Sequence, residues 1–326
     1  MAVLPVQPAL LVLKGLTVEF PTAEGIIRAV DRVDLALEKG ERLALVGETG
    51  SGKSVLLLAL LGLLPSGTRV FGEARYRGED LLRLPGEEIR RLRGRKLAYI
   101  PQGAGSALNP VLRVGYQVAE PLRVHFGVPK KAALSQAVSL LARLGIPEAA
   151  RRAFDYPHHF SGGMKQRALV AMGVAAEAEV LLADEPTKGV DRPRRDEILA
   201  LFRSLEGKAV LTVTHDLWFA EKFADRVAVM YAAQLVEVSP RESFFGQPLH
   251  PYSQALLAAL PARGLKALLG YAPAHARYGE PGCRFRERCP RAFDRCREEP
   301  PFLEHGGRQV RCWLYAGGSK GSGQDL

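Results

Sequence analysis

"ERLALVGETGSGKSVLLLALLGLL", residues 41–64, decides how the rest of the chain is read. Leu43 to Val46 form an aliphatic run of the kind buried in a parallel sheet, a glycine turn follows, and an apolar helical stretch begins after it. This is half of a βαβ unit. The turn itself, Gly47-Glu48-Thr49-Gly50-Ser51-Gly52-Lys53-Ser54, has the spacing of a phosphate-binding loop in the strand–turn–helix context that such a loop requires. Its amides and the helix N-terminus offer an anion site. Lys53 is placed to neutralise β and γ phosphates, and Ser54 to put a hydroxyl on Mg²⁺.

Working outward, strands are expected at "KLAYIP" (96–101), "EVLLADEP" (179–186), "AVLTVTHD" (209–216) and "RVAVMY" (226–231), with helical patterns between them. That alternation predicts a parallel core sheet covered by helices. "LTVEF" (16–20) and "VDLALE" (33–38) read as edge strands of an antiparallel flap. Between "IPQ" and "FSGG" helical stretches such as "KKAALSQAVSLLARLG" (130–145) predict an inserted helical subdomain, about 103–176. Near "GQPLHPYS" (246–253) the periodicity weakens and Pro, Gly, Arg and Cys become frequent. The expected division is therefore 1–245 for the nucleotide-binding part and 246–326 for a C-terminal extension ending in the linker-like "GGSKGSGQDL".

Composition is that of an ordinary globular chain, 47% hydrophobic and 25% charged over 326 residues. The net charge of +10 tolerates nucleic acid, anionic lipid or nucleotide, but the basic residues are spread along the chain. The longest apolar run, "VLLLALLGLLP" (55–65), is about half of a bilayer crossing. "MAVLPVQPALLVLKGL" has no basic leader and carries Pro5 and Pro8, so no secretory signal is expected.

"EVLLADEP" delivers Asp184 and Glu185 to the C-terminal edge of the expected sheet, where nucleotides bind in open α/β folds. Asp184 is suited to hold Mg²⁺ and Glu185 to take a proton from an attacking water. "GETGSGKS", the glutamine of "YIPQ", "FSGGMKQR", "LLADEP" and "VTHD" together resemble, in order and approximate spacing, the nucleotide-binding subunits of ATP-binding cassette (ABC) transporters over residues of about 10–245. The resemblance implies the P-loop NTPase fold of an ABC ATPase: α/β, with a mixed, mainly parallel core sheet, an antiparallel β flap and the helical insertion. It also implies a head-to-tail dimer in which Ser161, Gly162 and Gly163, with Lys165 and Gln166, face the ATP held by the other subunit's P-loop. Gln102 would reach Mg²⁺ and the attacking water, and His215 would contact the γ-phosphate and orient the water with Glu185. Phe20 aligns with the aromatic that stacks on adenine, and Asp191 with the aspartate that carries information between the sites. Phe20 also reads as a core aromatic, and His215 as a helix cap beside Asp216.

The chain departs from the family at Lys188-Gly189-Val190, which puts a long cation at the expected dimer seam and suggests an acidic facing surface. "PQGAGSALNP" lacks the acidic residue often found just after the glutamine, and Phe160 stands where a leucine is usual.

"PLHPYSQALLAALP" (248–261) and "GCRFRERCPRAFDRC" (282–296) resemble the ATPase subunits of oligopeptide, dipeptide and nickel importers. That implies ATP hydrolysis coupled to peptide import at the cytoplasmic side of the membrane. The partners would be a second ATPase subunit (self or paralogue), two permeases and, indirectly, an extracytoplasmic binding protein. No nucleic acid is expected. The four cysteines, Cys283, Cys289, Cys296 and Cys312, fit a metal or cluster set. The resemblance implies a [4Fe-4S] cluster; Zn²⁺ and unliganded thiols are the alternatives, and the interleaved arginines would offset the cluster's charge. A soluble ABC-type ATPase acting on nucleic acid or ribosomes is the rival function.

Overall fold

The computed structural model describes residues 9–190, 192–268 and 270–316. Five parallel strands make its centre: β3 (Arg42–Val46), β6 (Leu97–Ile100), β7 (Val180–Asp184), β8 (Ala209–Thr214) and β9 (Arg226–Tyr231). Every residue of β7 and β8 is buried, as a strand covered on both faces requires. The order β9-β3-β8-β7-β6 is extended past β9 by β10 (Gln234–Pro240) and then by a hairpin of β12 (Arg308–Val310) and β11 (Leu303–His305). These three added strands run antiparallel, so the C-terminal extension completes the edge of the core sheet.

A second sheet orders β1 (Leu11–Thr22), β2 (Gly25–Leu37), β4 (Arg69–Tyr76) and β5 (Glu79–Asp80) as β2-β1-β4-β5. It is the expected antiparallel flap with one correction. β1 is not an edge strand but lies between β2 and β4, because β4 pairs along it from Leu11↔Tyr76 to Glu19↔Arg69. Between Ile100 and Gly162 the chain forms helices, chiefly Val114–Phe126 and Lys130–Arg143. They pack with the helix Gly162–Ala175 around Val118, Ala137, Leu141 and Leu169, in an apolar cluster continuous with Ile100, Leu181 and Val210 of the sheet.

Parallel register brings three strand ends together. Val46 pairs with Thr214 and Asp184 with Val213, so β3, β7 and β8 end side by side. Gly47, Glu185 and His215 leave the sheet at one edge. Among the described residues no helix is long and apolar enough to cross a membrane.

Candidate functional site

The loop Gly47–Ser54 turns against the protein body so closely that only glycine fits at two of its positions. A Cβ on Gly47 would stand 2.1 Å from the Met230 carbonyl oxygen, and one on Gly52 2.0 Å from that of Ala29. Both have positive φ, 154° and 102°. Lys53, opening the helix Lys53–Leu60, folds back over the loop and donates to the carbonyl oxygens of Gly47 (2.9 Å) and Glu48 (2.8 Å). Burial pulls its pKa down, against the upward pull of Glu185, Asp184 and Glu48. Ser51 is buried, while Thr49 and Gly50 are exposed.

Ser54 Oγ donates to Asp184 Oδ1 (3.0 Å), and the phenol of Tyr99 on β6 donates to Asp184 Oδ2 (3.0 Å). Asp184 is 3% exposed. Burial raises its pKa; the Ser54 and Tyr99 hydrogen bonds oppose that rise, and the charge of Glu185 adds to it. Hydroxyl and carboxylate oxygens side by side are the hard donors that suit Mg²⁺, so the residues present fit that ion.

Glu185 follows at φ 48°, a left-handed conformation that costs a side-chain-bearing residue about 1–3 kcal/mol. Its N–H donates to Val213 O (2.8 Å), which locks the turn. Its carboxylate Oε2 accepts from Thr214 Oγ1 (3.2 Å) and the His215 amide (3.2 Å), and lies 2.8 Å from His215 Nδ1. Asp216, rather than His215, is the helix cap here, accepting from Phe219 N–H at the start of the helix Leu217–Phe223. One edge of the sheet thus gathers a cation, a hydroxyl and two adjacent carboxylates of which one is partnered by an imidazole.

Outside the loop 47–54, no side chain of the other expected residues that the structure describes is hydrogen-bonded to this group. Gln102 is half-buried and makes no hydrogen bond to Ser54 or Asp184. Phe20 is half-buried beside the apolar cluster under the flap, opposite Ile27. Ser161 caps the helix Gly162–Ala175, its Oγ accepting from Met164 N–H (3.3 Å), with Ser161 and Gly162 exposed. Lys165 is half-buried, and its N–H donates to the Ser161 carbonyl (2.9 Å). Gln166 is 5% exposed and its Nε2 has no hydrogen-bond partner among the described residues. Lys188 borders a cavity of about 590 Å³ with Thr187, His215, Asp216 and Trp218. Asp191 lies outside the described residues.

The cysteines require a correction. Among the described residues no group of three or more His, Cys, Asp or Glu side chains is disposed to hold a metal ion, so neither the [4Fe-4S] cluster nor Zn²⁺ stands. Cys283, Cys289, Cys296 and Cys312 are free and share with His250, Phe285, Phe293 and Trp313 the lining of a cavity of only about 10 Å³. Burial pushes the Cys283 thiol up to about 11 and raises Cys289 and Cys312 as well, toward the neutral form that packs like a small hydrophobe. Two of the interleaved arginines are committed elsewhere, Arg284 to Asp31 and Arg288 to Glu48.

Three contributors to the site went unread in the sequence: Tyr99, Thr214 and, on the P-loop itself, Tyr252, whose phenol oxygen accepts the Glu48 N–H (3.0 Å). Tyr99 and Thr214 sit on strands already expected to end at the site, so side-chain alternation could have flagged them. Tyr252 is separated from Glu48 by 204 residues, and no local pattern announces it.

Residues 30–188 match the ABC transporter family and residues 236–296 the oligopeptide/dipeptide transporter C-terminal region. The dipeptide transport ATP-binding protein DppD of Escherichia coli (strain K12) is 41% identical over 316 residues, spanning 93% of this chain and 96% of that protein. A peptide import ATP-binding protein of Brucella abortus (strain 2308) is 42% identical over 313 residues, 93% and 94% of the two chains. The solved dimeric structure of MJ0796, a bacterial ABC transporter cassette, superposes with a TM-score of 0.64 at 27% identity, covering 71% of this chain and 98% of that one.

Proposed function

The chain belongs to the ATP-binding subunits of ABC transporters, in the branch that carries the oligopeptide/dipeptide C-terminal region, and from that premise we propose that it hydrolyses ATP to drive import of peptides through a membrane transporter. The single observation that carries the reading is the gathering of Lys53, Ser54, Asp184, Glu185 and His215 at one edge of the parallel sheet. The peptide cargo rests on the relatives, which are named for peptide or dipeptide import over nearly their whole lengths. They do not favour the nucleic-acid rival.

In this reading the loop 47–54 cradles the phosphates through its amides, and Lys53 leaves its carbonyl partners for the β and γ oxygens. Ser54 and Asp184 would hold Mg²⁺, which when bound supplies charge neutralisation on the phosphates. Glu185 accepts a proton from water as the water oxygen bonds to the γ-phosphorus and the bond to the ADP oxygen breaks. His215 holds the Glu185 carboxylate through Nδ1 and so orients that base. Gln102, half-buried on the strand-to-helix connection, would join the site on closure, and Phe20 would offer its ring to adenine.

Ser161 and Gly162 are exposed at the start of a helix whose N-terminal end favours an anion, which supports a surface for a second subunit's nucleotide. Lys165 and Asp191 would belong to that seam; Gln166, buried, would reach it only if its helix shifts on closure. The partner subunit, self or paralogue, would pack head to tail, with two permeases beneath the pair on the cytoplasmic side of the membrane. Residues to about 245 form the ATPase and the remainder the family-specific extension.

A Glu185→Gln variant tests the whole. It should lose turnover by about 10²-fold or more, yet bind ATP and, with Mg²⁺ and its partner cassette, elute from a sizing column as a dimer. Wild-type turnover would remove Glu185 from its role, and a strictly monomeric variant would remove the shared site.

A further inference from the structure

The C-terminal extension grips the phosphate loop. Tyr252, fully buried at the start of the helix Pro251–Ala258, accepts the Glu48 N–H through its phenol oxygen (3.0 Å). The Arg288 guanidinium, 7% exposed, donates to the Glu48 carboxylate (3.1 Å) and to the phenol oxygen of Tyr231 (3.3 Å), and lies over the Tyr231 and Phe285 rings. Four residues earlier Arg284 ion-pairs with Asp31 and donates to the Ala232 carbonyl, which ties the same segment to the strand β2 that abuts Gly52. Two groups well separated along the extension therefore meet on one residue of the loop.

Glu48 is an awkward neighbour for a nucleotide. Its carboxylate sits within a loop built to receive a triphosphate, where an unpaired negative charge repels the ligand across a few ångströms. Its N–H, turned toward Tyr252, fixes the direction in which the following amides face. Packed between rings and largely shielded from water, Arg288 makes the kind of charge-assisted hydrogen bond that keeps its strength at physiological salt. We propose that Arg288 and Tyr252 are positioning residues of the ATP site, acting through Glu48: Arg288 cancels the loop's own charge, and Tyr252 sets its conformation for the phosphates. The extension is then part of the ATP-binding apparatus and not only an attachment to it.

This inference rests on the ATPase reading above, and steady-state kinetics of the full chain separate the two. If the wild type binds and hydrolyses no ATP, the reading itself fails; if it does, the variants decide the inference. Arg288→Gln should raise KM for ATP about tenfold, the scale of one charge-assisted contact, with kcat changed less than about twofold. Arg288→Lys should recover part of the loss. Adding Glu48→Gln to Arg288→Gln should bring KM back toward the wild-type value, because the charge left unpaired is then gone. A merely structural role for Arg288 predicts no such rescue. Tyr252→Phe, which removes one oxygen, should raise KM about threefold with unchanged kcat, and it carries the test alone if Arg288→Gln does not fold. An unchanged KM in Tyr252→Phe overturns the anchoring of the loop. An unchanged KM in Arg288→Gln, or one that Glu48→Gln fails to restore, overturns the charge argument.

Discussion

At the scale of single residues, the site is held by side chains that satisfy one another. Lys53 occupies loop carbonyls, Ser54 and Tyr99 occupy Asp184, and Thr214 and His215 occupy Glu185. Each such contact is a hydrogen bond to a charged group and is worth more than a neutral one. Tyr99 gives the cleanest measure, since Phe keeps its volume and removes only the donor to a carboxylate that burial already disfavours. Tyr99→Phe should lower the stability of the nucleotide-free protein by about 1–2 kcal/mol, read as a shift of the urea midpoint. An unshifted midpoint would mean that Asp184 needs no second donor. The phosphate loop and the Asp184–Glu185 pair can be read from the sequence, because residue type and spacing carry their chemistry. The burial of Gln166 cannot be read there, because the motif does not encode which residues of the helix Gly162–Ala175 the fold covers.

At the scale of elements, the strands that announced themselves are those buried on both faces. Runs such as "VLLAD" and "AVLTVT" need no partner to be recognised. β10 escapes such a reading for the opposite reason: "QLVEVSP" alternates like a half-exposed strand, yet Gln234 through Ser239 are all buried. Glu237 is fully buried there because its carboxylate accepts from Ser239 Oγ and from the Leu249 and His250 amides, closing the turn into the helix Pro251–Ala258. His250 caps that helix, its Nδ1 accepting from Tyr252 N–H (3.0 Å). Burial drives its pKa from 6.5 down to about 3; a hydrogen bond with the Arg311 backbone opposes the fall and the Arg311 charge adds to it. A base whose folded pKa is depressed stays neutral in the fold while the unfolded chain takes up a proton. Stability is therefore complete above pH 6.5 and falls as pH drops from there toward 3, by up to about 1.4 kcal/mol per unit. His250→Asn keeps an acceptor for the cap and cannot titrate. Urea midpoints of this variant between about pH 7 and about pH 5 should decline less steeply than those of the wild type, and parallel slopes would place the acid sensitivity elsewhere.

At the scale of the molecule, composition and punctuation separate the extension from the ATPase, while its packing joins them. β12 pairs with β10 on the edge of the core sheet, and Tyr252 and Phe285 pack with Tyr231 of the central sheet in one apolar cluster. A change in periodicity marks where a chain alters its local habit; it does not say whether the two parts share a core. Here they do, and the contacts that join them span tens to hundreds of residues, beyond the reach of any local pattern. Removing a fully buried large aromatic costs about 3–5 kcal/mol. Loss of Tyr252 and Phe285 alone thus approaches the roughly 5–15 kcal/mol that a whole domain holds in reserve. A chain ended after residue 245 would in addition leave β10 as an open edge and bare the apolar face around Tyr231, Val236 and Phe244. Such a chain should aggregate or unfold without a cooperative transition in circular dichroism, even with saturating nucleotide. If it instead melts cooperatively at the wild-type temperature and binds ATP as tightly, the extension is a separate body, and its hold on Glu48 is dispensable to the fold and to the site alike.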